Sequence, residues 1–310
     1  MTDATLLDGT PVARFPFGTM QWGGNADEGE SRALFEACRA AGIAHFDTAV
    51  GYTDGRAETL LGRFAAPVRD ELYIATKVAY TGGTGRANIL SQFDRCRRQS
   101  GLDSVDLLYL HRHDPDTPVD ETFATMAELQ RDGAIRHIGV SNYAAWQVME
   151  AQAACARLGT RIDAVQPMFN LVKRQAEVEI LPMAARQGIA AYCYSPLGGG
   201  LLTGKYAAGG TGRLDADDRY ATRYGLDAMH GAAADLARLA AEHGYHPATL
   251  AVAWIAAHRD RPQPILSARS VAQLAPSLAA MTLTLTPELH AALTALYPAP
   301  PPATDRLEEA

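Results

Sequence analysis

The 310-residue sequence predicts an α/β fold, a single (β/α)8 TIM barrel preceded by a short N-terminal β-hairpin. Three observations carry this expectation. Eight short apolar runs alternate with segments of helical spacing. No linker interrupts them before the tail. A chain of this length with 47% hydrophobic residues suits one large α/β domain. A doubly wound sheet would also alternate, but eight parallel strands without a break are less usual there than in a barrel. The expected barrel covers 1–297. The tail 298–310 is Pro-rich, then acidic, and reads as an extended or disordered end.

The elements follow in order. Leu6 to Phe15 reads as the hairpin, with Asp8-Gly9 as a two-residue turn. Phe17 to Met20 reads as the first strand. Ser31 to Ala41 follows at helical spacing, with Leu34, Phe35 and Cys38 on one face. Ile43 to Phe46 is the second strand and Glu58 to Phe64 the next helix. Leu72 to Thr76 is the third strand, ending at Lys77, and Asn88 to Gln99 is helical. Val105 to Leu110 is the fourth strand, ending at His111. Glu121 to Arg131 is helical and Asp132-Gly133 stops it. Ile135 to Val140 is the fifth strand, Trp146 to Leu158 a helix, and Ala164 to Gln166 a short sixth strand. One helix is expected over Gln175 to Arg186, then a seventh strand from Ile189 to Tyr194 and a glycine-rich loop. Helices over Ala232 to His243 and Pro247 to His258 precede an eighth strand, Pro264 to Leu266. Val271 to Ala280 closes the fold.

Composition excludes several functions. The net charge is −7, and Lys and Arg are scattered, so no basic stripe offers itself to nucleic acid. Cys38, Cys96, Cys155 and Cys193 lie far apart with no zinc-like spacing, so they read as reduced apolar side chains and no metal is expected. The N-terminus lacks a basic region followed by an apolar core, and no apolar run approaches the ~18 residues of a membrane span. The cytoplasm is the expected location, with no membrane partner.

A barrel builds its site at the C-terminal ends of its strands. Those ends carry Asp47 with Tyr52 just beyond, then Lys77, His111, Ser141 with Asn142, and Gln166. One such residue is explained by turn capping. Four titratable groups of different kinds on consecutive strand ends point to a site. A free phenol has a pKa of ~10. A lysine ammonium within ~4–6 Å lowers that by about one to three pH units. Asp47 would hold Lys77 charged while partly cancelling its field at Tyr52, and His111 could hydrogen-bond a substrate oxygen. The set suits protonating an alkoxide as it forms on a carbonyl, or the reverse. None of these groups supplies a hydride, so a cofactor must.

Cofactor signals lie in the last loops. Tyr194-Ser195-Pro196-Leu197-Gly198-Gly199-Gly200 leads to Thr203-Gly204-Lys205 and offers backbone N–H groups and a lysine. Ser267-Ala268-Arg269-Ser270 opens a helix. An arginine suits a 2′-phosphate. Gly82-Gly83-Thr84-Gly85 lacks the last glycine of a dinucleotide fingerprint and reads as a plain loop. Trp22, Tyr80, Arg112 and His113 are candidates to face substrate. The alternatives are that Trp22 only walls the pocket and that Arg112 and His113 pair with Asp114 or Asp116.

These residues resemble the aldo-keto reductase superfamily from about Gly18 to Ala280. The matching stretches are Phe46-Asp47-Thr48-Ala49 with Tyr52, Thr76-Lys77-Val78, Val105 to His111, Ile138 to Asn142, Tyr194 to Gly198, and Thr203 to Tyr206. The resemblance implies a (β/α)8 barrel, reversible carbonyl reduction, and NADP (as NADPH), with NAD possible. It makes Tyr52 the general acid/base, tuned by Lys77 and Asp47, with His111 orienting the carbonyl. Gly18, Thr19 and Met20 join the cofactor-facing set. Ser141, Asn142 and Gln166 are placed at the carboxamide and Tyr194 against the nicotinamide. Ser195, Pro196, Leu197, Gly198, Gly200 and Lys205 lie over the pyrophosphate, and Ser267, Arg269 and Gln273 face the 2′-phosphate. The chain departs where relatives often carry Glu-Asn for adenine, having Pro276 and Ser277. Two other roles stay open under the resemblance: a cofactor-binding regulatory subunit, as in relatives that attach to potassium channels, and an NAD-dependent sugar dehydrogenase. The partner expected is a small-molecule carbonyl substrate; substrate identity and oligomeric state are not specified.

Overall fold

A computed structural model describes residues 4–206, 209–306 and 308. Eight strands run in sequential order: β1 (Phe17–Gly18), β2 (His45–Asp47), β3 (Tyr73–Val78), β4 (Val105–Leu110), β5 (Ile135–Ser141), β6 (Ala164–Gln166), β7 (Ala190–Cys193) and β8 (Gln263–Pro264). Between them lie α1 (Glu28–Ala40), α2 (Arg56–Ala65), α3 (Arg86–Ser100), α4 (Val119–Arg131), α5 (Ala145–Arg157) and α6 (Ile180–Gln187). Helices α7 (Arg213–Ala216), α8 (Asp218–Tyr224), α9 (Asp227–Glu242) and α10 (Pro247–Ala256) separate β7 from β8. The chain continues into α11 (Val271–Ala279) and α12 (Pro287–Ala295). This is the (β/α)8 order expected. No helix among the described residues is long and apolar enough to cross a membrane.

The chain divides into two compact units. The first runs to Pro167 and includes Met183–Tyr192 and Ile265–Leu274. Within it, β1 to β7 pair in parallel, each with the next; examples are Gly18 with Asp47, Lys77 with Tyr109, and Ser141 with Gln166. Leu266 bridges Phe17 in parallel, with Gly18 N–H donating to Leu266 O at 2.7 Å and Leu266 N–H to Pro16 O at 2.8 Å. The end of the strand series thus returns to β1, as a barrel requires. Strands β3 and β4 are buried on both faces, which is why they read as unbroken apolar runs.

Local chemistry sets the helix ends. Asp27 caps α1 by accepting the Glu30 N–H at 2.8 Å. Gly101, at φ +69°, ends α3 and donates to Arg97 O. Trp22 packs with Phe17, Phe35, Phe46 and Phe64 at centroid distances of 5.7 to 6.5 Å. His45, at the start of β2, is buried edge-on to Tyr73 at 4.7 Å and Tyr192 at 4.8 Å. Burial and the Lys77 charge hold the His45 pKa down at about 3, so its imidazole is neutral.

The second unit comprises Met168–Pro182, Cys193–Pro264 and the chain from Ala275. Its core includes Trp254, which packs against Phe169 at 5.2 Å with the rings tilted and lies under Arg174 at 5.5 Å. Arg174 pairs with Glu177 and donates to the Thr294 and Tyr297 carbonyls.

Several boundaries differ from the sequence reading. The hairpin turn has three residues, Leu7 to Gly9: Leu6 N–H donates to Thr10 O and Gly9 takes φ +87°. Glycine there permits a left-handed residue after the turn, so the shorter loop is not needed. Gln175 to Arg186 is not one helix. A 3-10 turn at Gln175–Glu177 precedes α6, because Arg174 and Glu177 grip each other across that turn. The short polar helices α7 and α8, and α12 with its Thr286 cap and Pro287, were not expected.

Gly62 marks where α2 meets α3. A Cβ added there would lie 1.7 Å from Ser100 O. Gly62→Ala should therefore destabilise by about 2 kcal/mol or more, overriding a helix-propensity gain of at most ~1 kcal/mol. Urea unfolding followed by circular dichroism measures this, and an unmoved midpoint would contradict so close a crossing.

Candidate active site

Asp47, the last residue of β2, and Lys77, within β3, form an ion pair in which both side chains are almost wholly buried. Lys77 had been expected just after its strand; β3 runs on to Val78 because the pairing with β4 continues through Lys77 and Val78. Lys77 Nζ also donates to Thr48 O at 2.8 Å and lies 5.1 Å from the Tyr52 ring centroid. Burial opposes its charge. The Asp47 carboxylate and the Tyr52 phenol, by charge and hydrogen bonding, outweigh that, and the Lys77 pKa stands above the ordinary value. The ammonium is therefore retained at neutral pH.

Tyr52 opens the 3-10 turn after β2. Two anchors hold this loop. Val50 N–H donates to Lys77 O at 3.1 Å, and Val50 O accepts from Gln99 Nε2 at 3.0 Å. After Tyr52, Thr53 Oγ1 donates to Trp22 O and accepts the Ala57 N–H. Gln99 also donates to Glu58 at 2.8 Å, and Glu58 accepts from Thr76 at 2.5 Å. Buried Glu58 thus ties α3, the strand beside Lys77 and the Tyr52 loop together. Sequence reasoning missed Glu58 and Gln99. The available signal was a carboxylate on the apolar stripe of α2, beside Leu61 and Ala65.

His111 directly follows β4. Its N–H donates to Val78 O and its carbonyl accepts Asn142 Nδ2 at 2.9 Å. The imidazole lies 6.0 Å from the Tyr52 ring and 5.0 Å from the Tyr80 ring, edge-on to both. Burial first, then the Lys77 and Arg112 charges, lower its pKa to about 3. It is a neutral hydrogen-bonding group over the working pH range.

The residues expected at a carboxamide connect to this centre. Gln166 Nε2 donates to the second Asp47 oxygen at 2.9 Å. Ser141 Oγ donates to Gln166 O at 3.0 Å, and Asn142, at φ +58°, donates to Ser141 Oγ at 3.2 Å. Thr19 donates to Asp47 O through both N–H and Oγ1, while Gly18 and Met20 flank it at the end of β1. Ser267, Arg269 and Gln273 are exposed in the segment leading into α11, with Gln273 Oε1 accepting the Arg269 N–H at 3.2 Å.

In the second unit, Tyr194 bridges Met168, and Asn170 donates to Ser195 O at 2.8 Å. Ser195 takes positive φ, and after Pro196 and Leu197 the three residues Gly198, Gly199 and Gly200 do so in succession. Lys205 folds beside Gly200 and Gly212 and lies 4.7 Å from the Tyr206 ring. The Pro276 carbonyl accepts from Thr249 Oγ1, and Ser277 is buried.

The four substrate-facing candidates separate. Trp22 is fully buried in the aromatic core. Tyr80 is half exposed, with the Arg112 guanidinium 5.1 Å above its ring. His113 contacts Tyr143 and Trp146 edge-on. Neither Arg112 nor His113 pairs with Asp114, whose oxygens instead take the Thr84 N–H, the Thr117 hydroxyl and the Asp116 N–H.

Compared with known proteins, the chain matches the Aldo/keto reductase family over residues 15–298. It is 31% identical to a probable voltage-gated potassium channel subunit beta of Oryza sativa subsp. japonica, covering 96% of each chain. It is 31% identical to the uncharacterized oxidoreductase YrpG of Bacillus subtilis, covering 94% of each. It is 36% identical to aflatoxin B1 aldehyde reductase member 2 of Rattus norvegicus, over 66% of this chain and 56% of that one.

Two outcomes follow from this geometry. Asp47→Asn leaves the Lys77 ammonium buried without its counter-charge and should cost about 3 kcal/mol of stability or more; denaturant unfolding reads it, and a loss below about 1 kcal/mol would refute the buried pair. His45 and His111 are neutral in the folded protein and titrate near the ordinary pKa when unfolded. The unfolded state then binds more protons between about pH 6.5 and 3. Stability from these two groups is complete above about pH 6.5 and falls as pH drops toward 3, by about 1 kcal/mol per pH unit for each. Thermal unfolding across that range measures the slope, which should diminish in His45→Phe.

Proposed function

Because this chain belongs to the aldo/keto reductase family, we propose that this carbonyl oxidoreductase reduces aldehydes and ketones to alcohols with NADPH, reversibly, and with Tyr52 as proton donor. One observation carries the reading: a buried, charged Lys77 held between Asp47 and Tyr52, with neutral His111 edge-on to the same phenol.

The donor set suits the cofactor. Arg269 is exposed, has no ion-pair partner among the described residues, and stands where the chain enters α11, so it fits a 2′-phosphate. Ser141, Asn142 and Gln166 are the amide and hydroxyl groups proposed for a carboxamide, with Gly18, Thr19 and Met20 beside them. In the second unit, the glycine-rich stretch from Ser195 to Gly200, with four residues at positive φ, is proposed to lie along the pyrophosphate, with Lys205 as a cation for it. Tyr194 is proposed for the nicotinamide face. NADPH, when bound, supplies the hydride.

The chain's own groups manage the proton. His111, neutral, donates an N–H to the carbonyl oxygen and orients it. The Tyr52 hydroxyl gives its proton to the oxygen as negative charge grows there. Lys77 favours the phenolate left behind, because an ammonium stabilises an adjacent anion strongly in a poorly solvated site. Asp47 keeps Lys77 charged and aimed, and Gln166 holds the other Asp47 oxygen. In the oxidative direction the same phenolate takes the proton from an alcohol.

The full-length likeness to the rice channel subunit favours a second reading, a cofactor-binding regulatory subunit. NADPH bound tightly without oxidation across a carbonyl panel would select it. Running NADPH and NADH side by side on that panel, in both directions, also decides the cofactor and tests the sugar-dehydrogenase alternative.

Tyr52→Phe should lower kcat by about 10²–10⁴-fold while NADPH binding, read by fluorescence, stays within a few-fold. Wild-type turnover in this variant would remove Tyr52 as the donor.

A further inference from the structure

Arg112 occupies a position that the catalytic assignments do not use. It follows His111 in the chain, and the backbone there is clamped: His111 N–H is held by Val78 O and its carbonyl by Asn142. Beyond it, Asp114 fixes the next turn through Thr84, Thr117 and Asp116. The Arg112 guanidinium lies over the face of Tyr80, whose ring is edge-on to His111. Arg112 therefore stands two rings away from the Tyr52 phenol, on a rigid base and open to solvent.

Among the described residues Arg112 has no hydrogen-bond acceptor and no carboxylate partner. The chain holds 35 acidic residues against 28 basic ones, so the lack of a partner does not reflect a shortage of acids. The nearest acid in sequence, Asp114, is turned to other donors. A contact with a ring face engages none of the guanidinium's N–H groups, and with no acceptor for them among the described residues they are available to a carboxylate or phosphate, which a guanidinium receives through two parallel hydrogen bonds. The surrounding charges add a reason. Lys77 is compensated by Asp47, and His111 is neutral. Arg112, two rings from the phenol, carries a charge that no acid among the described residues compensates.

From this we infer that Arg112, presented by Tyr80, is a specificity-determining residue that binds an anionic group on the substrate. The preferred substrates are then aldehydes or ketones bearing a carboxylate or phosphate about one aromatic ring away from the carbonyl. This rests on the carbonyl-reductase reading. It narrows the substrate class of that site, and Tyr80 supplies a flat apolar wall for the spacer.

The test compares para-carboxybenzaldehyde with para-nitrobenzaldehyde and a para-trimethylammonio analogue, using NADPH and the full chain. Wild type should prefer the carboxylate and disfavour the cation. In Arg112→Gln the ratio of kcat/KM for carboxylate over nitro should fall roughly tenfold, mainly through KM, the size suited to an exposed charged contact. Arg112→Lys should recover part of the ratio. Added salt should compress it in wild type more than in Arg112→Gln. Glyceraldehyde phosphate against glyceraldehyde separates a phosphate preference from a carboxylate one. A ratio unchanged in Arg112→Gln, or a wild type that favours the neutral aldehyde, overturns the proposal. If no carbonyl is turned over, the reductase reading fails. Arg112 is then judged by calorimetric binding of para-(hydroxymethyl)benzoate in the presence of NADP, where equal affinity in wild type and Arg112→Gln overturns it.

Discussion

The Lys77–Asp47 ion pair imposes the conditions that the rest of the first unit meets. Two charges taken out of water are tolerated only if their remaining hydrogen-bonding capacity is filled. Thr48 O accepts from Lys77, and Gln166 donates to the second Asp47 oxygen. Ser141 in turn donates to the Gln166 carbonyl, so β2, β3, β5 and β6 are joined at their C-terminal ends by side chains as well as by the ladder. A pair this buried keeps its geometry, and Tyr52 faces an ammonium that cannot swing away.

The loop carrying Tyr52 has no ladder of its own, so its position comes from outside it. The Val50 carbonyl is held by Gln99 and its N–H by the Lys77 carbonyl. Glu58, a buried carboxyl with no ion-pair partner among the described residues, receives both Gln99 and Thr76 and so links α3 to the strand that carries the lysine. The same helix pair meets so closely at Gly62 that no side chain fits. Packing of α2 on α3 is thereby coupled to where the phenol sits.

Electrostatics then sorts the groups around the phenol. Two imidazoles, His45 at the start of β2 and His111 directly after β4, are both kept neutral by burial and by Lys77. Only His111 lies against Tyr52 and Tyr80. Arg112 keeps its charge in contact with water and lies over an aromatic face that costs it no hydrogen bond.

The eight-unit alternation, and Asp47, Tyr52, Lys77 and His111 at strand ends, were legible because period and strand-end polarity are local properties of the chain. The parallel ladder and the return of Leu266 to β1 bear out the barrel class. Local signals failed where distant residues decide. Arg174 and Glu177 broke an expected helix, and α7 and α8 lack an apolar period to announce them. Trp22 could have walled a pocket but lies in the aromatic core, and Asp114 could have paired with Arg112 but serves Thr84 and Thr117. By itself the sequence determined which chemical groups stand at which strand ends. Only the tertiary structure decided which of them are buried, paired or left charged, because desolvation and hydrogen-bond partners come from segments that meet through folding.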